Sequence, residues 1–428
     1  MSALAIYIHN KGYKVQGSDK CYSKKLAELE KSGIKTFVGH SAKNISNATI
    51  CVYTSAIDDD NPELVWAKQH CTLIERGELL GKICKAFKNT IAVSGTHGKT
   101  TVTAMIGQCL CEASYDPTIH IGGNFKYIGG NFRYGASNYF VTEACEYQRA
   151  FLHIAPQYLI INNVELDHLD CYNNLSEIED TFLRLARQVE KQIIINGDSE
   201  FYQKHKNALT DAVTFGTSPA CTYQIKNLKS TAGKYTFDVI HDARLLTTID
   251  LNISGIYNAY NALACVTLCN QLSIPREIIK CSLAEFNGVE RRLEVVLKTK
   301  SATVIKDYAH HPTEIRNAIQ NVRELDFDKI VVVFQPHTYT RTLGLFEEFL
   351  SAFGGCDAVI FLPTYPAREK IIIGGRSEDL FAALKKNKKN CHFADNFAVA
   401  RDIALQQATQ NACILLLGAG DVENVFSN

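Results

Sequence analysis

Apolar runs alternate with amphipathic stretches along most of the chain, which predicts alternating strands and helices. In the first part, a helical pattern covers residues 1–10, a short strand follows at 13–15, and Gly17-Ser18-Asp19 comes at its carboxyl end. An acidic residue at this position could bind a ribose, or it could simply be a turn residue, and both interpretations stay open. The further elements are a helix at 23–32, strands at 36–38, 50–53 and 72–74, and a helix that begins at Pro62. This order predicts an α/β domain.

Residues 91–105 carry the clearest chemical signal. An apolar strand leads into a polar loop and then a helical pattern that runs through Leu110. Glycine loop, lysine and hydroxyl in that order are typical of a phosphate-binding loop, in which backbone N–H groups and the lysine face the phosphates. Val93 stands where the usual motif has glycine, so a solvated lysine at a helix start remains the alternative. The loop residues are Gly95, Thr96, His97, Gly98, Lys99, Thr100 and Thr101.

Two later strands of this region end in polar residues. The apolar run 139–143 ends at Glu143, and the run 158–162 is followed by His168. Because ligands bind beyond the carboxyl ends of parallel strands, we expect both side chains near the phosphate loop. A carboxylate and an imidazole beside phosphates favour Mg²⁺ or Mn²⁺. The alternatives are a solvated strand end for Glu143 and a capping or core residue for His168.

The remaining chain adds an antiparallel patch and a third α/β unit. Short β-rich runs at 221–251 precede a predicted helix. Asn258 and Asn261 share one face of that helix, where their amides could either hydrogen-bond the edge of a nucleotide base or cap the helix. Strands at 302–305, 329–334, 358–362 and 413–417 are separated by polar rim segments. Those polar segments predict that the third unit forms the opposite side of the site around the phosphate loop. The lysine-rich run 385–389 is interpreted as a solvated helix end.

Composition narrows the class of protein. The 428 residues suggest two to four domains, and 46% hydrophobic with 21% charged residues is ordinary for a globular protein. Lys plus Arg equals Asp plus Glu at 45 each, so no net field attracts nucleic acid. The 15 cysteines include no Cys-x-x-Cys and predict buried reduced thiols. With no spanning apolar run and no signal-peptide layout, we expect a cytoplasmic protein without membrane insertion.

These residues together resemble the Mur ligases of peptidoglycan synthesis, essentially from end to end. The resemblance implies an α/β fold with a truncated Rossmann-like UDP-substrate domain (1–87), a central P-loop ATPase domain (88–290) and a C-terminal Rossmann-like domain that brings the amino acid (291–428). The motifs that carry it are the loop 95–101, the pair Asp167-His168, Asn258 with Asn261, Arg291-Arg292, the segments 307–312 and 335–341, and the terminal Gly418-Ala419-Gly420-Asp421.

The resemblance also implies a reaction. ATP, with Mg²⁺, would activate the carboxylate of UDP-N-acetylmuramate as an acyl phosphate, which the amine of L-alanine attacks. A carboxylate does not react with an amine at neutral pH until its oxygen becomes a leaving group, which agrees with a lysine and metal beside a phosphate. Two alternatives stay open: a relative that joins a recycled peptide to the same nucleotide, and a weakly catalytic nucleotide-binding homologue. The sequence leaves the oligomeric state open.

By resemblance, each candidate residue has a role. The catalytic candidates are Lys99, His97, Glu143, His168, Arg292 and Asp307. ATP would contact residues 95–101, Asn258, Asn261, Arg292 and Asp307, while Thr100, Glu143 and His168 would hold the metal ion. The substrate candidates are Ser18, Asp19, Thr54, Ser55, His310, Arg341 and Arg368.

Three departures from the family pattern qualify these roles. A first strand and glycine-rich turn are missing upstream of Met1, from which we expect weak UDP-substrate binding and an unpaired strand edge. Tyr257 replaces the family's usual histidine before Asn258, and Cys145 replaces an aspartate near Glu143.

Overall fold

A computed structural model describes residues 1–299, 301–386 and 390–427. The α/β prediction is confirmed, because strands and helices alternate over most of the chain and most strand pairs are parallel. The lysine-rich run predicted at 385–389 is only partly covered: Lys385 ends a helix, and 387–389 lie outside the described residues. Over the described ranges, no helix is long and apolar enough to cross a membrane.

The N-terminal part contains two small parallel sheets. β1 pairs with β2 and β3 pairs with β4, each strand having a single partner, so unpaired strand edges are present as expected. The elements in order are α1 (Ser2–Asn10), β1 (Gln16–Asp19), α2 (Lys24–Lys31), β2 (Lys35–Val38), α3 (Ala42–Ile45), β3 (Ile50–Tyr53), α4 (Pro62–His70), β4 (Thr72–Glu75) and α5 (Arg76–Cys84).

The prediction of a strand at 13–15 was wrong. The strand runs from Gln16 to Asp19, because its register is set by β2, where Gln16 lies opposite Lys35. Ser18 and Asp19 therefore belong to the strand itself and do not follow it. The partner strand, which sequence pattern alone does not supply, decides where pairing begins.

The central part is built on one ten-stranded sheet in the order β14-β13-β12-β11-β10-β9-β5-β8-β6-β7. Its hairpin β12–β13–β14 is antiparallel, as predicted for 221–251. Its strands are β5 (Asn89–Ser94), β6 (Thr118–Phe125), β7 (Gly130–Arg133), β8 (Tyr139–Glu143), β9 (Tyr158–Ile161), β10 (Gln192–Asn196), β11 (Val213–Gly216), β12 (Tyr223–Thr231), β13 (Lys234–His241) and β14 (Arg244–Leu251). Its helices are α6 (Lys99–Glu112), α7 (Leu175–Ala186), α8 (Glu200–His205), α9 (Ile256–Gln271) and α10 (Arg276–Ala284).

Both faces of this sheet are covered, which explains why the inner residues of its middle strands are buried. On one face α6 and α9 pack together, and their side chains Met105 and Leu263 are fully buried. Cys109, Cys265 and Cys269 meet in the same core, as expected for buried thiols. On the other face, α7 packs beside α1 and α5 from the N-terminal part.

The C-terminal part forms a mixed sheet in the order β15-β16-β20-β17-β18-β19 over the described residues, with only β15 antiparallel. Apolar clusters cover both of its faces. Its strands are β15 (Glu294–Lys298), β16 (Ala302–Asp307), β17 (Lys329–Phe334), β18 (Ala358–Phe361), β19 (Cys391–Phe393) and β20 (Ala412–Leu417). Its helices are α11 (Pro312–Arg323), α12 (Tyr339–Gly344), α13 (Phe346–Ala352), α14 (Ser377–Lys385) and α15 (Phe397–Gln407).

Candidate active site

The loop between β5 and α6 has the backbone of a phosphate-binding loop. Gly98 precedes the first residue of α6 with φ +83°, and a Cβ there would lie 2.6 Å from Asn261 Oδ1, so only glycine fits. Two asparagines after β9 brace the loop: the His97 N–H donates to Asn163 Oδ1 at 2.8 Å, and Asn162 Nδ2 donates to the His97 carbonyl at 3.3 Å. The first N–H groups of α6 are thereby presented to an anion.

Lys99, at the start of α6, is held by the loop and by one acid. Its Nζ donates to the carbonyl oxygens of Gly95 at 2.5 Å and Thr96 at 3.2 Å. It also contacts both carboxylate oxygens of Glu146, at 3.0 and 2.9 Å. Burial alone would lower the pKa of Lys99, but the Glu146 carboxylate outweighs burial and raises it. The lysine is therefore charged and fixed.

The metal candidates lie around the same loop. Glu143, at the end of β8, accepts a hydrogen bond from the Gly122 N–H at 2.5 Å. A Cβ on Gly122 would lie 3.0 Å from Glu143 Oε2, and one on Gly123 would lie 3.0 Å from Thr100 Cγ2. The two adjacent glycines thus allow the backbone to pass close to the Glu143 carboxylate and the Thr100 methyl group. The Glu143 carboxylate is a hard oxygen ligand of the kind that Mg²⁺ prefers.

His168 reaches the loop from the other side. It has a left-handed backbone, with φ 53°, a conformation that residues with side chains adopt mainly where the surroundings enforce it. Its Nε2 lies 3.8 Å from Glu146 Oε1 and 3.7 Å from Asp167 Oδ2. The structure therefore brings His168 and Lys99 to the same carboxylate.

Direct side-chain bonds join the phosphate loop to the C-terminal part. His97 Nδ1 lies 2.9 Å from Glu314 Oε1, and its Nε2 lies 3.4 Å from Glu165 Oε2. Thr313 Oγ1 donates to Glu165 at 2.8 Å. Burial alone would lower the pKa of His97, but Glu314 and then Glu165 outweigh it and raise the pKa to about 10.

The first turn of α11 explains why Glu314 points at the loop. Pro312 is the first residue of the helix, and the Glu314 carboxylate reaches back to accept the N–H groups of His310 at 3.1 Å and His311 at 3.3 Å. This is the capping-box arrangement, which leaves the second carboxylate oxygen free to bind His97. Burial alone would raise the Glu314 pKa, but nearby histidines outweigh it and lower the pKa well below its ordinary value.

A second bond between the two parts is an ion pair. Arg341, on α12, donates from Nε to Asp167 Oδ1 at 2.8 Å, and the two side chains are 7% and 9% exposed. Burial would raise the Asp167 pKa, but Arg341, together with His168 and His310, outweighs it and lowers the pKa well below its ordinary value. His310 and His337 lie against each other beside this pair, with ring centroids 5.7 Å apart. The predicted rim residues Arg341 and His310 are thus near His168 and its neighbours.

A cavity of about 820 Å³ lies between the central and C-terminal parts. Arg292 lies in its wall beside the Tyr308 ring, at 5.2 Å from the centroid. Asp307, at the end of β16, accepts the Leu293 and Ala309 N–H groups at 2.8 and 2.7 Å. Burial raises the Asp307 pKa to about 6, against the opposing charge of Arg292. Other lining residues include His97, Gly98, Thr101, Tyr257, Asn258, Asn261 and Glu314.

The asparagine pair on α9 is buried in this wall and is not at the surface. Asn258 Nδ2 donates to the Ser254 carbonyl at 2.6 Å, and Asn261 Nδ2 donates to Asn258 Oδ1 at 3.0 Å. Neither bond caps the helix, because α9 follows Gly255 and has no side-chain cap. The place of the two asparagines in the cavity wall is compatible with contact to a base.

The structure does not bring the remaining candidates to this cavity. Ser18 Oγ contacts Glu63 Oε2 at 2.5 Å and His40 Nδ1 at 3.1 Å, within the N-terminal sheets. The Asp19 and Thr54 side chains accept the nearby N–H groups of Cys21 and Ala56. Arg368 is exposed on the loop after β18. Ser55 is exposed on the turn after β3.

Several residues of the site were missed by sequence reasoning. Glu146, Glu165 and Glu314 received no role, although each makes a direct contact with Lys99 or His97. One signal was available: Glu146 follows Glu143 by three residues beyond the same strand end. The Glu314 contact could not be found in this way, because 217 residues separate it from His97.

Comparison with known proteins identifies the family. Three family descriptions match the chain in order: "Mur ligase family, catalytic domain" over residues 1–88, "Mur ligase middle domain" over 93–269 and "Mur ligase, glutamate ligase domain" over 291–420. The chain belongs to the Mur ligase family. The resemblance stated from the sequence is therefore confirmed.

Individual Mur ligases are similar over nearly the whole chain. The UDP-N-acetylmuramate–L-alanine ligase of Caldicellulosiruptor saccharolyticus is 39% identical, covering 99% of this chain and 94% of the relative. That of Clostridium novyi is 38% identical, covering 99% and 93%. The crystal structure of the UDP-N-acetylmuramate–alanine ligase of Thermotoga maritima matches with a TM-score of 0.84 at 30% identity, covering 99% and 94%.

A murein peptide ligase from Psychrobacter arcticus shares the fold, with a TM-score of 0.74 at 20% identity, covering 100% of this chain and 95% of that one. The two departures from the Mur ligase pattern in the central part lie at the site. Cys145 separates Glu143 from Glu146, and Tyr257 lines the cavity beside Asn258. With these residues in place, Lys99 contacts the loop carbonyls and both carboxylate oxygens of Glu146.

Proposed function

We propose that this Mur ligase joins L-alanine to the carboxylate of UDP-N-acetylmuramate at the expense of ATP, in the synthesis of peptidoglycan precursors. The observation that carries the substrate assignment is the 38–39% identity, over 99% of the chain, to curated L-alanine ligases. The loop 95–101 with Lys99, next to a cavity in which two parts of the chain meet, supports the ATP chemistry.

In the proposed mechanism, the α6 N-terminus and Lys99 bind the ATP phosphates and keep their charge in place. Phosphoryl transfer to a carboxylate is mainly a matter of alignment and charge stabilisation, which fixed N–H groups and a fixed ammonium supply. Arg292 and Asp307 would contact the nucleotide where the central and C-terminal parts meet. His97 would place a charged imidazole beside the phosphates, while its backbone N–H, bonded to Asn163, holds the loop in shape.

Magnesium would be held by Thr100, Glu143 and His168, of which Glu143 and Thr100 lie against Gly122 and Gly123 of β6. The ion would neutralise phosphate charge. On the acceptor side, His310 and Arg341 line the rim beside Asp167, and burial lowers the pKa of His310 to about 3. A neutral imidazole and a fixed guanidinium would bind the carboxylate and orient the amine of L-alanine.

The nucleotide substrate would contact the N-terminal sheets. Ser18, Asp19, Thr54 and Ser55 lie at or near the ends of β1 and β3 there, which supports a UDP-side role. Arg368, exposed on its loop, would approach the acceptor when substrates are bound. We also propose domain limits at 1–87, 88–290 and 291–428, because each part has its own sheet or sheets. Helices α1 and α5 of the first part nevertheless pack on the central sheet. The enzyme would act in the cytoplasm, where ATP is available.

The test is phosphate release from the chain with ATP, Mg²⁺ and UDP-N-acetylmuramate, with and without L-alanine. We expect release that needs both co-substrates, and a product whose mass equals the sum of UDP-N-acetylmuramate and alanine less one water. Replacing L-alanine with the free murein tripeptide, whose terminal amine is not acylated, is the matched control, and we expect no turnover. Turnover with the tripeptide but not with L-alanine would refute the alanine assignment, and no turnover with either would favour a weakly catalytic nucleotide-binding protein.

A further inference from the structure

We propose that Glu146 is a positioning residue that holds the Lys99 ammonium in the nucleotide-free site and competes with the phosphates for it. This inference rests on the proposed function, because it assumes that the loop receives a nucleotide. Glu146 lies just beyond β8, and its side chain is 2% exposed.

The hydrogen-bond count at Lys99 carries the argument. A lysine ammonium has three N–H donors, and Lys99 Nζ already has four acceptor contacts: two backbone carbonyls of its own loop and both oxygens of Glu146. No donor is left for a phosphate. The carbonyls belong to the loop and move only with it, so the Glu146 carboxylate is the partner that an incoming phosphate must replace.

The surroundings fix the backbone of Glu146, from which its carboxylate reaches Lys99. The Tyr172 hydroxyl donates to the Glu146 carbonyl at 2.6 Å, and the Arg149 N–H donates to the same oxygen at 2.9 Å. Gln148 and Arg149 both have left-handed backbones, with φ 51° and 57°, which turn the chain back at this point. Positive φ at two successive residues with side chains is unusual and persists only where neighbouring structure enforces it.

The competing pair predicts two effects of opposite sign on the enzyme. Removing the Glu146 charge frees Lys99 and removes a negative charge that faces the phosphates, so nucleotide should bind more tightly. The same change leaves the ammonium without the partner that fixes its position, so turnover should fall. A residue that merely stabilised the fold would weaken binding and turnover together.

The experiment compares Glu146→Gln and Glu146→Asp with the unaltered chain. The amide keeps the shape without the charge, while aspartate keeps the charge but withdraws it from Lys99. We expect the Kd for ADP to fall at least about tenfold in Glu146→Gln and by a smaller factor in Glu146→Asp. The kcat for phosphate release should fall by about ten- to a hundredfold in Glu146→Gln, with Glu146→Asp retaining more turnover. If Glu146→Gln does not fold, the Kd for ADP of Glu146→Asp alone tests the proposal.

The matched control is Glu179→Gln. Glu179 is also a buried acid paired with a lysine, Lys204 at 2.5 Å, but it lies on α7 away from the loop. We expect no change in its Kd for ADP. Unchanged or weaker ADP binding in folded Glu146 variants would overturn the proposal, as would no ADP binding by the unaltered chain. If the unaltered chain binds ADP but releases no phosphate, the proposed function fails while the binding comparison still decides the role of Glu146.

Discussion

The contact between His97 and Glu314 predicts how the stability of the protein depends on pH. His97 is in the phosphate loop and Glu314 is in the first turn of α11, so their bond joins two parts of the molecule. The two side chains are 15% and 16% exposed, which limits screening by water. Raising the His97 pKa from 6.5 to about 10 corresponds to on the order of 5 kcal/mol of preference for the charged imidazole.

The sign of the pH dependence follows from that pKa. Because the folded-state pKa is above the unfolded value, the stabilisation is fully present below pH 6.5 and is lost as the pH rises towards about 10. We therefore expect alkaline conditions to weaken the contact between the central and C-terminal parts. Glu314→Gln should lower the His97 pKa by more than one pH unit, or about 1.4 kcal/mol, because the amide keeps the capping box without the charge.

The assay is the carbon-13 and proton NMR titration of the histidine rings, with the His97 signal assigned by its loss in His97→Gln. Thermal unfolding of the unaltered protein and Glu314→Gln between pH 6 and 10 gives the matching stability curve. Glu165→Gln is the control, and its effect should be smaller because Glu165 lies at 3.4 Å compared with 2.9 Å. A His97 titration near 6.5 in the unaltered protein, or one that Glu314→Gln leaves in place, would refute this reasoning.

Three further predictions concern the loop, the ion pair and the core. Lys99→Ala should reduce phosphate release at least about a hundredfold and, because it leaves the buried Glu146 carboxylate unpaired, should also lower the midpoint of thermal unfolding; a folded variant with full turnover would contradict the proposed role of Lys99. Asp167→Asn should leave Arg341 as an unpaired buried charge and cost about 3–5 kcal/mol, seen as a lower midpoint of thermal unfolding; an equal midpoint would show that the pair adds nothing. Phe182→Ala, in a fully buried position, should cost about 3–5 kcal/mol in chemical denaturation, whereas Val399→Ala, 40% exposed, should change the stability by about 0.5 kcal/mol or less, and equal losses would contradict the burial argument.

Local patterns along the chain were enough to predict most of the strands and helices. The strand at Asn89–Ser94, the glycine loop and the helix that follows it are each specified by neighbouring residues, because periodicity, glycine and capping act over a few positions. Glu143 and His168 could also be placed near the loop, since parallel strands bring their carboxyl ends to one edge. The strand predicted at 13–15 failed because its register depends on β2.

The partners of the site residues were decided only by the tertiary structure. Glu146 binds Lys99 across 47 residues, Arg341 binds Asp167 across 174, and Glu314 binds His97 across 217. The first contact depends on β5 and β8 being neighbours in the central sheet, and the other two depend on how the central and C-terminal parts meet, which neighbouring residues along the chain do not encode. The sequence by itself determined the phosphate loop, the α/β elements and the family of the protein. The tertiary structure decided which acid neutralises each buried cation, since that choice requires charges far apart along the chain to be desolvated together.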